Sequence, residues 1–244
     1  MKIETVSAQV HSFMTEGPCG YYPERATRNR MLSDENHEFS QAQITRILNK
    51  GYRRYGPDYY RTFCRGCREC TPYRVLVERF KPGRRFRRVL ARNAACEITW
   101  AEPKASQEKF ELYVRYQLSR HKNFGDATIL SIRQELAVAM IRQMYMNPQS
   151  SLELTVRESG QVLAFATFDV TDDSLSAVYS VFEPDVPERS LGTLNILLAL
   201  QQVKKLGLKY LNLGLYLENH PKMSYKANFG PAEVYQGFRW KSKQ

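Results

Sequence analysis

Apolar and polar positions alternate most clearly in the second half of the chain. Residues 152–157, 162–170 and 175–182 read as three successive strands, rich in β-branched and aromatic side chains. Short polar turns at Glu158, Ser159 and Gly160 and at residues 171–174 separate them, which predicts an antiparallel meander. A strand over 96–100 and two helices come before it. In the first helix, 107–121, Phe110, Tyr113, Val114 and Gln117 recur at helical spacing; the second is opened by Ser131 and Gln134 at capping-box spacing and runs to about residue 146. After the meander, a helix over 191–206 is stopped by Gly207 and feeds an apolar strand at 210–214. A polar segment and a last strand over 233–240 end the chain. The first third shows less order. It holds a helix capped by Ser40, with Ile44, Ile47 and Leu48 on one face and Gly51 as its stop. A strand follows over 73–80, broken by Lys81, Pro82 and Gly83, and then a helix from about Arg84.

From residue 96 onward the order is strand, helix, helix, three strands, helix, strand, short helix, strand. That order resembles the GNAT acyltransferase fold. It implies an α+β protein in which a GNAT-like domain, a mixed sheet flanked by helices over 96–244, follows a small Cys/Arg-rich N-terminal domain over 1–95. Composition agrees with a packed core, at 43% hydrophobic and 12% aromatic residues, and excludes a disordered chain. No run approaches membrane-spanning length and the first ten residues lack a signal-like apolar stretch, so a cytoplasmic protein without membrane contact is expected.

Charge changes the picture, because 36 Lys+Arg stand against 25 Asp+Glu. Residues 50–92 hold 14 of the basic residues and 3 of the acidic ones, so this window alone carries the whole excess of +11. Such concentration points to a polyanion partner. In the helix from Arg84, Arg84, Arg88 and Arg92 share one side with Arg85 beside them, and no acidic residue falls between Lys81 and Asn93 to pair with them. The stripe is a candidate for phosphate contacts on a nucleic acid.

The same window contains Cys64, Cys67 and Cys70 at two-residue spacing, the arrangement that holds zinc or part of an iron-sulfur cluster. Cys19, flanked by Gly17, Pro18 and Gly20, is the candidate fourth ligand. Arg61, Arg65 and Arg68 are expected to favour the thiolates. The other reading is three free thiols, packed or redox-sensitive, without metal. Five cysteines in a chain without an export signal exclude a disulfide frame. Cys96 reads as a small buried hydrophobe.

Past the strand at 210–214, Tyr216, Glu218, His220, Lys222, Tyr225 and Lys226 crowd titratable groups at the strand's C-terminal end, where open sheets commonly place their chemistry. A surface turn with charged ends fits the spacing equally well. The loop before the helix at 191 has a single glycine, Gly192, so the phosphate cradle that acetyl-CoA needs is incomplete and acetyl-CoA is not expected.

Several ordered pieces of the chain match one family. They are Pro18 to Pro23 with Arg25; Gly51 to Arg54; Cys64 to Pro72 with Arg74; Arg79 and Phe80; and Tyr116 and Gln117 with Arg120 and His121. Pro184 to Pro187, Leu191 to Thr193 with Asn195, Gly207, Leu213 and Gly214, and Lys222 to Lys226 complete the set. With these the chain resembles the aminoacyl-tRNA-protein transferases, which include eukaryotic arginyltransferases and bacterial aspartate/glutamate leucyltransferases, and it is more similar to the bacterial branch. The resemblance implies transfer of an amino acid from the 3′ end of a charged tRNA to the N-terminal α-amine of a protein, marking it for degradation. Leucine is the expected donor residue and Asp or Glu the expected acceptor, with arginyl transfer as the alternative. In eukaryotic relatives the cysteine-bearing part is associated with zinc or an iron-sulfur cluster.

The chemistry asks for alignment, a neutral amine and oxyanion stabilisation, since the ester is already activated. Tyr216, Lys222 and Tyr225 are the candidate catalytic residues, with base and oxyanion roles left open, and Arg25 or Lys226 is the candidate partner for the acceptor's acid. His121 reads as a satisfied helix histidine and Asn195 equally as a packing or capping residue. A non-catalytic tRNA-binding protein is the competing class, disfavoured by the intact Lys222 to Lys226 segment. A monomer is expected.

Overall fold

In the first third of the chain, the computed structural model, which describes residues 10–34, 39–120, 127–146 and 151–243, shows four strands where the sequence pattern suggested irregularity. β1 (Val10–Pro18) pairs with β2 (Ala26–Asp34), and β3 (Arg53–Tyr55) with β4 (Asp58–Thr62), in the sheet order β1-β2-β4-β3. These strands are mostly polar and lightly covered, so their alternation has little hydrophobic contrast. One helix packs on them. α1 (Gln41–Asn49) buries Ile44, Ile47 and Leu48 against Phe39 and Tyr59. As expected, Ser40 caps it: its hydroxyl accepts from the Gln43 N–H at 3.3 Å, and the Gln43 side chain accepts from the Ser40 N–H at 2.8 Å. Gly51 ends it at φ +75°, and a Cβ there would lie 2.6 Å from the ring of Tyr235.

The remaining elements build one large sheet and its cover. They are β5 (Thr71–Leu76), α2 (Arg84–Arg92), β6 (Glu97–Ala101), α3 (Gln107–Arg120) and α4 (Ile129–Met140), the last continued by a π-type turn over Ile141–Tyr145. The expected meander then forms as β7 (Ser151–Glu158), β8 (Gln161–Val170) and β9 (Ser174–Phe182). α5 (Leu191–Lys205), β10 (Tyr210–Tyr216) and the hairpin β11 (Ala232–Gln236) and β12 (Arg239–Ser242) follow. The strand order is β12-β11-β5-β10-β9-β8-β7-β6, antiparallel except for the parallel pair β9 and β10. This is the mixed sheet flanked by helices that the element order predicts.

Both faces of the sheet are covered. α5 and α2 pack Leu191, Leu194, Leu197, Phe86 and Val89 on one side; α3 and α4 pack Leu112, Tyr113, Leu136 and Met140 on the other. Burial on both sides explains why β8 reads as a nearly continuous apolar run. Three boundaries differ from expectation. α4 starts at Ile129, because Thr128 rather than Ser131 is its cap, its hydroxyl accepting from the Ser131 N–H at 3.2 Å. The strand expected over 73–80 stops at Leu76 and turns into a 3-10 turn, and the one over 233–240 divides at Gly237 and Phe238 into a hairpin. β5 and α2 precede residue 96 yet share the core of the larger sheet, so the expected division at residue 95 crosses continuous packing. His121 lies outside the described residues.

Strand alternation in β3 sends its two arginines to different destinations. Arg54 runs to Asp169 on β8, with Nε 3.0 Å from Oδ1 and both side chains buried. Arg53 runs toward β9 and β10.

Candidate active site

β9 and β10 pair in parallel only from Ser174 and Tyr210 to Ser176 and Asn212, and β10 shifts register against β5 between Asn212 and Gly214. The strands therefore part. Into the opening comes Arg53, whose Nη2 donates to the Val178 carbonyl at 3.3 Å and whose Nη1 donates to the Tyr60 hydroxyl at 3.4 Å. Gly214, at φ +74°, makes room: a Cβ there would stand 2.9 Å from Arg53 Nε. That Nε is buried and has no hydrogen-bond partner among the described residues.

The guanidinium is the electrostatic centre of a ring of polar aromatics. Burial pushes the Tyr21 phenol up to about 12, helped by Tyr60 and opposed by Arg53. The same balance, burial against Arg53, raises Tyr225, which is 44% exposed. Tyr179 is raised by burial, with its hydroxyl accepting from Gln117 and Arg53 nearby as the opposing influences. Lys226 stands at the same wall, 5% exposed, with Nζ donating to the Leu215 carbonyl. Burial first, and the Arg53 charge second, hold its amine well below the ordinary lysine range. Lys226 was expected to present a cation to the acceptor's acid; burial instead favours its neutral form.

Beside these residues lies a cavity of about 450 Å³, lined in part by Tyr21, Tyr60, Leu215 and Arg25. Both basic groups are bonded to its lining, Arg53 through Tyr60 and Lys226 through Leu215. Arg25 is exposed at the lining, over the Tyr22 ring at 4.2 Å and beside Glu24 at 3.3 Å. The three expected catalytic residues do not converge. Tyr225 lies with Arg53 and Lys226. Tyr216 packs its ring on Tyr73 with centroids 5.3 Å apart and meets the Lys243 ammonium at 4.7 Å, lining a different cavity of about 260 Å³. Lys222 is exposed, its backbone N–H donating to His220 Nδ1 at 3.2 Å, while the His220 ring sits edge-on to Tyr21 at 5.5 Å. Arg53 was passed over by sequence reasoning; its signal was the doubled arginine after Gly51 in a segment dense in tyrosine.

Cys19, Cys64, Cys67 and Cys70 all line the 450 Å³ cavity. The donor set suits zinc or an iron-sulfur cluster, but no three of the thiols converge to hold an ion among the described residues. Cys64 Sγ is turned to β2, accepting from the Arg28 N–H at 3.4 Å, and Cys67 Sγ faces Arg25 Nη1 at 3.9 Å. The expected lowering of thiol pKa by arginines is also absent at Cys70. Burial, then the neighbouring thiols, raise it to about 12, while Arg68 spends Nη1 on the Cys64 and Cys67 carbonyls at 2.7 and 2.9 Å. As placed, the residues do not fit a metal centre.

α2 forms as expected, with Arg84, Arg85 and Arg88 at the surface and Phe86 stacked on Phe229 at 4.8 Å. Arg92 turns its Nη1 to the Glu188 carbonyl. Gly192, the single glycine of the loop before α5, serves packing: a Cβ would come 2.9 Å from the Phe182 ring.

A mixed sheet covered on both faces and splayed between its two parallel strands places the fold among the GNAT-like acyltransferases. Two family models match the chain, the arginine-tRNA-protein transferase N terminus over residues 17–88 and its C terminus over 108–236. The chain belongs to the arginine-tRNA-protein transferase family and is an aminoacyltransferase, for which aminoacyl-tRNA is the co-substrate class. It is 39% identical over 219 residues to the aspartate/glutamate leucyltransferase of Leptospira interrogans, covering 90% of this chain and 84% of that one. With the protein of the same name from Stenotrophomonas maltophilia (strain K279a) it shares 37% identity over 227 residues, 92% and 89% of the two chains. Among solved structures it is similar to a tandem GNAT protein from the clavulanic acid biosynthesis pathway (TM-score 0.43, 13% identity, 79% of this chain and 55% of that one). It is also similar to L-PGS from Bacillus licheniformis (TM-score 0.44, 15% identity, 72% and 50%). The fold class rests on the strand order. Among the described residues no helix is long and apolar enough to cross a membrane.

Proposed function

We propose that this protein transfers leucine from leucyl-tRNA to the α-amine of proteins beginning with Asp or Glu, the activity for which its relatives are named. The observation that carries a catalytic rather than a binding role is the enclosed pair of Arg53 and Lys226 beside the 450 Å³ cavity. In the reaction the α-amine nitrogen attacks the ester carbonyl carbon. A C–N bond forms, the bond from that carbon to the ribose 3′ oxygen breaks, the amine gives up a proton, and the leaving oxygen takes one up. Lys226, held toward its neutral form, accepts the first proton and supplies the second. The unpaired Nε of Arg53 stabilises the developing oxyanion, and Tyr225 positions the amine. Arg25, exposed at the cavity, pairs with the acceptor's carboxylate. Tyr216 and Lys222 stand outside this centre. Residues 1–95 supply the tRNA surface, with Arg84, Arg85, Arg88 and Arg92 on phosphates, and residues 96–244 the reacting groups; Arg53 crosses from the first part to the second. Zinc or a cluster enters no step.

Incubation with labelled Leu-, Arg- and Phe-tRNA against peptides beginning Asp, Glu, Lys, Arg or Ala tests the assignment. Label is expected from leucyl-tRNA into Asp and Glu peptides only. Arginine label would overturn the donor, and no label in any peptide would leave a tRNA-binding protein.

A further inference from the structure

The β11–β12 hairpin closes with Gln236 opposite Arg239, so its loop is Gly237 and Phe238, both at positive φ (58° and 62°). Such primed two-residue turns are made by Asn and Gly, and a bulky side chain there is held in a disfavoured conformation. The strained ring is also 76% exposed, the most exposed large apolar side chain among the described residues. Packing does not account for it, and strain kept at an exposed aromatic points to a ligand.

The surroundings specify which ligand. Phe238 forms the lip of a cavity of about 520 Å³ whose other walls include Phe63, Tyr235, Arg61 and Arg68. The Arg61 guanidinium lies 4.5 Å from the Phe63 ring centroid, 5.5 Å from that of Tyr235 and 5.4 Å from that of Phe238. Arg68 is fixed by its two bonds to the Cys64 and Cys67 carbonyls. No Asp or Glu lines the cavity among the described residues. An exposed ring beside anchored guanidiniums is the combination that stacks an unpaired base and neutralises its phosphates. Cys64, Cys67 and Cys70 line both this cavity and the one at the reacting centre, so the two are neighbours across one loop.

We infer that Phe238 is a stacking platform for an unpaired nucleobase at the single-stranded 3′ end of the charged tRNA, with Arg61 and Arg68 on the adjoining phosphate. The inference rests on the tRNA-dependent reading above. Its test uses the full chain and two RNA minihelices with the same duplex, one with a short unpaired 3′ extension and one blunt, titrated by fluorescence anisotropy. Phe238→Gly relieves the backbone strain, so the variant is expected to melt at or above the wild-type temperature. It should bind the extended RNA about tenfold more weakly with an unchanged salt slope and bind the blunt RNA as wild type does, while Phe238→Tyr binds both normally. Equal affinity of Phe238→Gly and wild type for the extended RNA, or an equal loss on both RNAs, overturns the platform. Leucyl transfer by the wild type, assayed in parallel, judges the transferase reading separately.

Discussion

Replacing Arg54 by Met removes one half of the buried pair that ties β3 of the small sheet to β8 of the large one. Arg54 and Asp169 are 3% and 0% exposed, and Arg54 Nη1 also donates to the Gly56 and Met146 carbonyls at 3.5 and 3.4 Å. The variant leaves Asp169 buried, with the Ser151 hydroxyl donating to its Oδ1 at 3.2 Å. Breaking a buried pair from one side costs about 3–5 kcal/mol, because a charge stays behind uncompensated. A chain of 244 residues has an unfolding entropy of about 0.5 kcal/mol/K, so a loss of about 4 kcal/mol lowers Tm by about 8 °C. The pH dependence has a definite sign. Burial already holds the Asp169 carboxyl above its ordinary range while Arg54 opposes, and removing Arg54 raises it further. The folded variant then prefers the protonated acid, whereas the unfolded chain ionises near 3.9. The penalty is therefore fully present above the raised folded value and fades as pH falls through it. Thermal melts at about pH 8 and about pH 5 should show the larger loss at the higher pH, and Arg54→Met/Asp169→Asn should recover at least half of it. A loss below about 1 kcal/mol, or one independent of pH, would refute the account of this pair. Since Arg53 shares the three-residue β3, Arg54→Met should also slow transfer at temperatures where the variant is folded.

Further outcomes follow from the site and from α2. Lys226→Met should lower the transfer rate about 10²–10⁴-fold, while Lys222→Ala stays near wild type; equal effects would remove Lys226 as the proton acceptor. Because the folded Lys226 value lies below its unfolded one of about 10.4, its burial costs stability below that unfolded value, and the cost is recovered as pH rises toward it. The stability of Lys226→Met relative to wild type should accordingly grow as pH falls below about 10.4 and vanish above it, and wild-type transfer should fall as acid protonates the amine. Charge reversal of Arg84, Arg85 and Arg88 on α2 should weaken tRNA binding and reduce the salt slope by about 0.7–0.9 for each lost phosphate contact, with melting unchanged. An unaltered slope would move the tRNA elsewhere.

Much of the fold was legible because its signals are local. The Ser40 cap, the three meander strands and the long run of leucines in α5 depend on residues a few positions apart, and each forms where the pattern places it. The N-terminal strands were missed because β1 to β4 carry arginine, tyrosine and threonine on lightly covered faces, where polarity does not alternate. At the site, Tyr225 and Lys226 were legible as a crowded titratable segment, but Lys226 was read as a cation for the acceptor's acid. Its burial against Leu215 depends on a sheet that no local pattern encodes.

By itself, the sequence determined the element order, the family and the amount of positive charge, since these are properties of residue type and spacing. Only the tertiary structure decided where that charge goes. Residues contiguous between 50 and 92 are divided into exposed arginines on α2, a second set around Phe238, the buried Arg54 and Arg74, and the half-buried Arg53. The physical reason is that a guanidinium's role is set by what surrounds it: open solvent at Arg88, a buried carboxylate at Arg54, and the opening between β9 and β10 at Arg53.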